Sequence, residues 1–312
     1  MDKTFVIAVE GPTASGKTGL GVRLAEHYGG EVVSADSMQI YKKMNIATAK
    51  PTKEEMRGVP HHLIDFVEPT ESYSVARYKA DAMQAIKSIL SRGKIPIIVG
   101  GTGLYIDSLL ENVEFFDIGA DEEIRRKLFE RAESEGADKL YSELMSVDPE
   151  SAEKMHANNI KKVIRALEFY YQTGKTISEQ VRLSKLSGTP FESVIICLTA
   201  NNRQVLYDRI NTRVDRMIED GLVEEAKMFY SVYGVKTANQ AIGYKEILPY
   251  LEGKACLEEC IERLKMQTRR YAKRQLTWFR RNENANMLCI DETDSDGLLK
   301  KAIEIIDSRR TL

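Results

Sequence analysis

The chain has 312 residues, 43% of them hydrophobic, and a net charge of −2, which suits one large domain or two modest ones and excludes a disordered chain. No apolar run approaches the ~18 residues of a membrane span; the longest, such as Ile95–Val99 and Val194–Leu198, are strand-length. Four scattered cysteines (Cys197, Cys256, Cys260, Cys289) make no disulfide framework, so a reducing cytoplasm is the expected location.

Thr4-Phe5-Val6-Ile7-Ala8-Val9 follows the first three residues directly and reads as a first strand, not a signal peptide. Gly11–Thr18 is a glycine-bearing loop, and 19–28 is helical, ending at Gly29-Gly30. Glu31–Ala35 is a second strand ending at Asp36, and 75–90 has helical apolar spacing. Ile95–Val99 is a third strand, closed by Gly100-Gly101-Thr102-Gly103. From about 121 to 186 charged helical stretches (121–135, 137–146, 160–171) replace the strand pattern. Strands return at 193–199 and 286–290, separated by helical 203–230 and 257–281. The expected fold is α/β: a P-loop NTPase-like parallel sheet flanked by helices, with a helical insertion domain and a helical C-terminal segment. The core would comprise 1–116 and 190–312, and the insertion 117–189.

Gly11-Pro12-Thr13-Ala14-Ser15-Gly16-Lys17-Thr18 fits G-x-x-x-x-G-K-[ST] between a strand and a helix. Its backbone N–H groups converge on phosphate oxygens, the helix N-terminus adds a favourable dipole, Lys17 supplies a point charge and Thr18 can ligate magnesium. Parallel strands bring their C-terminal ends to one edge, so Asp36 and Thr102 should lie near the phosphates. Asp36 has three readings: a magnesium ligand, a general base, or a cap on the following turn. Arg213 lies in Arg209–Arg216, which is either an exposed ion-paired helix or a source of positive charge for the phosphates.

Residues 262–281 carry eight basic side chains against one acid, leaving −9 for the rest of the chain. That stripe is either a solvated helix face or a surface for a polyanion. Within it Arg270, Lys273, Arg274 and Arg281 share one helical face, while Leu264, Tyr271 and Trp278, seven apart, read as packing.

Val33-Ser34-Ala35-Asp36-Ser37-Met38-Gln39-Ile40-Tyr41-Lys42, Thr48-Ala49-Lys50-Pro51, Pro60-His61-His62-Leu63 and Gly100–Tyr105 together resemble the tRNA dimethylallyltransferases (tRNA isopentenyltransferases). The similarity continues through Arg165–Glu168, 240–245 and Lys273–Arg280, over nearly the whole chain. The resemblance implies transfer of a five-carbon allylic group from dimethylallyl diphosphate to the exocyclic amine of an adenosine 3′ of the anticodon. The loop would then hold diphosphate through Gly11, Thr13, Ala14, Ser15, Gly16, Lys17 and Thr18. It assigns the general-base role to Asp36, favours Arg213 as functional beside Lys17, and makes Thr102 an active-site contact. Magnesium on Thr18 is the expected cofactor.

The partner implied is the tRNA anticodon stem-loop, clasped by the insertion, with the chain acting as a monomer and away from membranes. Ser37, Met38 and Gln39, after Asp36, suit reading of a flipped adenine. Further RNA contacts carried over are Arg125, Lys161 and Lys162 in the insertion, then Gln240, Gly243, Tyr244 and Lys245. Lys273, Arg274, Gln275, Trp278 and Arg280 complete them. The family's Asp-Ile-Gly appears here as Asn45-Ile46-Ala47, and its His-Pro-Asn-Asp as His156-Ala157-Asn158-Asn159, which puts loop geometry in question. Adjacent His61 and His62 point different ways and suggest no zinc site. Two other readings remain open. An ATP-dependent small-molecule kinase needs no basic stripe, and a non-catalytic RNA-binding P-loop protein would show no prenyl transfer.

Overall fold

A computed structural model describes residues 3–113, 121–186, 188–233 and 241–310. Its sheet is wholly parallel, in the order β3-β2-β4-β1-β5-β6. The strands are β1 (Thr4–Glu10), β2 (Glu31–Ser34), β3 (His61–His62), β4 (Pro96–Gly100), β5 (Phe191–Thr199) and β6 (Asn286–Cys289). In the centre Ile7 of β1 lies opposite Ile97 of β4 and Val194 of β5, and the three strands are buried on both faces, as their β-branched runs require. Helix α1 (Lys17–Tyr28) packs Leu20, Leu24 and Ala25 on this sheet.

The strand expected third along the chain, Ile95–Val99, is the fourth, β4, because the two-residue β3 precedes it; a strand that short leaves no periodic signal. Helices α2 (Lys53–Met56), α3 (Val75–Ser91) and α4 (Gly103–Leu110) flank β3 and β4 along the chain. The expected continuous helix over 203–230 is two, α10 (Arg203–Glu219) and α11 (Leu222–Tyr233), broken at Asp220-Gly221, where Gly221 has φ 98°. Helices α12 (Tyr244–Leu251), α13 (Leu257–Phe279) and α14 (Ser295–Arg310) complete the C-terminal part. No helix among the described residues is long and apolar enough to cross a membrane.

By contact density the chain divides into residues 1–73, 78–109 and 191–312, and residues 74–77 and 110–190; the boundary expected at 116/117 falls outside the described residues. The second unit contains α5 (Glu122–Glu135), α6 (Ala137–Val147), α7 (Pro149–Glu153), α8 (Ile160–Thr173) and α9 (Ile177–Leu186). Its core is Leu128, Leu140, Leu144, Ala152, Val163, Ile164 and Leu167. Glu168, wholly buried, accepts from the Asp121 N–H (3.1 Å), Arg125 (3.0 Å) and Arg165 (3.2 Å). Arg125, expected to touch RNA, pairs with this buried carboxylate while 38% of its side chain stays exposed.

Candidate active site

The loop after β1 has its backbone shape from three residues. Gly11 has φ 144°, and a Cβ there would stand 2.7 Å from the Leu198 carbonyl oxygen of β5. Ala14 (φ 63°) and Gly16 (φ 92°) are left-handed, an alternation of the kind that builds a backbone nest for an anion, while the Ser15 N–H between them donates to the Pro12 carbonyl at 3.3 Å. Gly16 is the N-cap of α1 and supplies no side-chain cap, which leaves the helix's first N–H groups available to the same anion. The Ser15 hydroxyl is buried without a hydrogen-bond partner among the described residues. Lys17 Nζ donates to the Pro12 carbonyl at 2.7 Å. Burial, then the Arg213 charge, pulls the Lys17 ammonium down to about 8, against the opposing effect of Asp36.

Asp36 leaves the end of β2. One oxygen, Oδ1, accepts the N–H groups of Met38 (2.9 Å) and Gln39 (3.3 Å). The turn-capping role is therefore realised, with one oxygen only; Oδ2 has no hydrogen-bond partner among the described residues. Ser37 is tied to the end of β4: its N–H donates to Thr102 Oγ1 at 2.9 Å, and Thr102 Oγ1 lies 3.2 Å from Ser37 Oγ. The glycines around Thr102 are explained by close neighbours. A Cβ at Gly100 would meet the Ala35 carbonyl oxygen at 2.1 Å, one at Gly101 would meet Gln275 Nε2 at 2.4 Å, and one at Gly103 would meet the Trp278 ring at 2.2 Å.

Lys17, Asp36 and Ser37 line a cavity of about 300 Å³, whereas Thr102, behind Ser37, is not among its lining residues. Thr13, Lys17, Thr18, Asp36 and Arg213 give it a polar lining, and Met38, Val99, Met217, Ile242 and Leu264 an apolar one. Arg213, from α10, makes no hydrogen bond among the described residues. Burial lowers its pKa, while the carboxylates of Asp36 and Glu55 act the other way. With no hydrogen bond or ion pair among the described residues, this guanidinium is available to an anion entering the cavity. Tyr271 and Thr268 of α13 also line the cavity. The sequence placed Tyr271 in packing, since a seven-residue spacing does not distinguish a core from a cavity wall.

Several side chains expected at the RNA or the phosphate are engaged elsewhere. The Thr13 N–H donates to Gln275 Oε1 at 2.9 Å, and Gln275 Nε2 donates to the Gly101 carbonyl at 2.8 Å, so Gln275 is an internal tie. Tyr244 is fully buried, its hydroxyl 2.8 Å from Glu225 Oε1. Gly243 is buried at the start of α12, with its N–H on Glu246. Trp278 Nε1 donates to Asp107 at 2.7 Å while its ring covers Gly103. Gln39 Nε2 holds the carbonyls of Thr48 and Ala49. Gln240 lies outside the described residues. Lys161, Lys162, Lys245, Lys273, Arg274 and Arg280 are exposed.

The altered loop at Asn45-Ile46-Ala47 is held by Glu225, whose carboxylate takes all three backbone N–H groups at 2.8–3.0 Å. Ala47 does not adopt positive φ; its Cβ instead lies 3.1 Å from the position of a Cβ at Gly243, which itself has φ 120°. His61 Nδ1 lies 2.8 Å from the Val59 carbonyl oxygen and His62 Nε2 2.7 Å from Glu31, so the two rings serve different partners.

A parallel sheet of this order, with an anion nest at the end of its central strand, defines a P-loop α/β protein. The chain belongs to the IPP transferase family, whose model matches residues 39–282. It is 50% identical over 301 residues to the tRNA dimethylallyltransferase of Thermoanaerobacter sp. (strain X514), covering 96% of both chains. It is 48% identical over 305 residues to that of Halalkalibacterium halodurans, covering 97% of this chain and 96% of the relative. Among solved structures it is similar to the tRNA isopentenylpyrophosphate transferase of Bacillus halodurans (43% identity, 99% of each chain, TM-score 0.73). It is also similar to a eukaryotic dimethylallyltransferase captured acting on tRNA (35% identity, 98% of this chain and 80% of the other, TM-score 0.82). The kinase and the non-catalytic readings give way to a prenyl transferase.

Proposed function

We propose that the chain transfers a dimethylallyl group from dimethylallyl diphosphate to the exocyclic amine of the adenosine 3′ of the anticodon in tRNA, releasing diphosphate. The observation that supports this best is the convergence of Lys17, Arg213 and the Asp36 carboxylate on one part-apolar cavity. The donor's C1–O bond breaks, its electrons leave with diphosphate, and the adenine nitrogen bonds to C1. An exocyclic adenine amine is a weak nucleophile and must shed a proton, which passes to Asp36. The N–H groups of the nest, Lys17 and Arg213 face the charge that grows on the departing oxygens and so favour the transition state.

Among the described residues no group of three or more His, Cys, Asp or Glu could hold a metal. Thr18 fits magnesium only as a partial ligand, sharing it with substrate oxygens and water, which is how that ion is commonly held on phosphates. Bound there, it would neutralise diphosphate charge. The exposed Lys273, Arg274 and Arg280 of α13 and its C-cap, and Lys161 and Lys162 of α8, supply phosphate contacts for the anticodon stem-loop. The chain is proposed to work as a monomer in the cytoplasm, where tRNA is processed.

The test is incubation with unmodified tRNA and dimethylallyl diphosphate, digestion to nucleosides and mass analysis. Adenosine carrying one five-carbon group, from the anticodon loop alone, is the expected product. Unaltered adenosine with both substrates saturating would overturn the reading.

A further inference from the structure

Pro12 has no N–H, so the first N–H donor of the loop beyond Gly11 is that of Thr13. It belongs to the Pro12–Thr13 peptide, and both ends of that peptide are held. The carbonyl accepts from Lys17 Nζ at 2.7 Å and from the Ser15 N–H at 3.3 Å. The N–H is held by Gln275 Oε1 at 2.9 Å. Gln275 is 6% exposed, and its other end donates to the Gly101 carbonyl at 2.8 Å. An N–H on one side and a carbonyl on the other fix which way the amide lies. Gly101 is what admits it, since a Cβ there would stand 2.4 Å from Nε2.

We propose that Gln275 is a positioning residue of the donor site, not an RNA contact. By fixing the Pro12–Thr13 peptide it sets the direction from which the left-handed Ala14 starts the nest, and it holds the carbonyl against which Lys17 rests. Through Gly101 it ties the same loop to the turn carrying Thr102. Helix α13, whose exposed side bears Lys273 and Arg274, is thereby joined to the phosphate loop by an amide on its buried side. Without the amide, the peptide is held at its carbonyl end alone and the nest is less well prepared, a cost felt when an anion binds. The inference rests on the loop being the diphosphate site.

The test is titration of the full chain with inorganic pyrophosphate by calorimetry, alongside steady-state kinetics. Gln275→Met keeps the volume and removes both hydrogen bonds; it should weaken pyrophosphate roughly tenfold, the scale of one or two such bonds. The KM for the prenyl donor should rise with it, and the KM for tRNA should stay within about twofold. Gly101→Ala, which leaves Gln275 in the chain but displaces its amide, should weaken pyrophosphate in the same direction and supplies the measurement if the first variant fails to fold. Unchanged pyrophosphate affinity in a folded variant overturns the proposal, whether accompanied by a lower melting temperature, a purely structural role, or by a raised KM for tRNA, an RNA contact. Absence of pyrophosphate binding in the wild-type chain would refute the donor-site reading itself, and this proposal with it.

Discussion

Asp36 holds the backbone N–H of Met38 on Oδ1 at 2.9 Å, so a carboxylate that lines the cavity also shapes a turn and keeps its Oδ2 without a hydrogen-bond partner among the described residues. The two roles separate by substitution. Asp36→Asn keeps an Oδ1 that can cap the turn but cannot take up a proton; Asp36→Ala loses both. Turnover should fall about 10²–10⁴-fold in each, the usual worth of a general base. Pyrophosphate affinity should be retained in Asn and, within a few-fold, in Ala. Near-wild-type turnover by Asp36→Asn in single-turnover assays would remove the base role.

The Lys17 ammonium, brought down to about 8 by burial and the Arg213 charge, gives a pH dependence with a definite sign. Below about 8 it is protonated and attracts diphosphate; above, it is neutral. The kcat/KM for the donor, which reports the free enzyme, should therefore fall as pH rises through about 8. Lys17→Arg, always charged, should lose that alkaline limb while having a lower rate. A limb unchanged in Lys17→Arg would assign it to another group.

One such group is Glu10, at the end of β1 directly before the loop. It is 1% exposed, and burial, with the nearby Asp107 charge, raises its carboxyl to about 8. The unfolded chain ionises this group near 4.5, so the folded state holds the extra proton between those values. Its stability contribution is complete below the unfolded pKa and is lost as pH rises through the folded one. Relative to wild type, Glu10→Gln should gain melting temperature progressively from pH 5 to pH 8. Parallel melting curves across that range would contradict this.

Glu225 accepts the N–H groups of Asn45, Ile46 and Ala47 and the Tyr244 hydroxyl. Glu225→Ala leaves those donors short of an acceptor and should cost on the order of 3 kcal/mol in urea unfolding. It should also loosen the loop whose carbonyls hold Gln39, raising the KM for tRNA above that for the donor. A variant as stable as wild type would show that the loop finds other acceptors.

The phosphate loop was legible because its signal is local: four fixed residues, a β-branched strand before it and a helical pattern after it. The central strands were legible because burial on both faces enforces unbroken apolar runs. Asp36 and Thr102 followed from the rule that parallel strands end on one edge. The two-residue β3 was not legible, nor was the break at Asp220-Gly221, where apolar spacing runs on through a turn. Direction on α13 was half legible. The exposed set Arg270, Lys273, Arg274 and Arg281 followed from spacing, but Gln275 looks inward only because Gly101 leaves room for its amide. Tyr244 and Arg125 carry polar groups that sequence reading sends to the surface; Glu225 and Glu168, buried and needing donors, take them instead.

A crystal structure with a non-reacting thiodiphosphate analogue of the prenyl donor tests the central claim most directly. The account predicts the diphosphate in the nest between Lys17 and Thr18, with C1 turned toward the open oxygen of Asp36. Diphosphate seated in the loop with its allylic carbon directed away from Asp36, or bound outside the loop altogether, would contradict it.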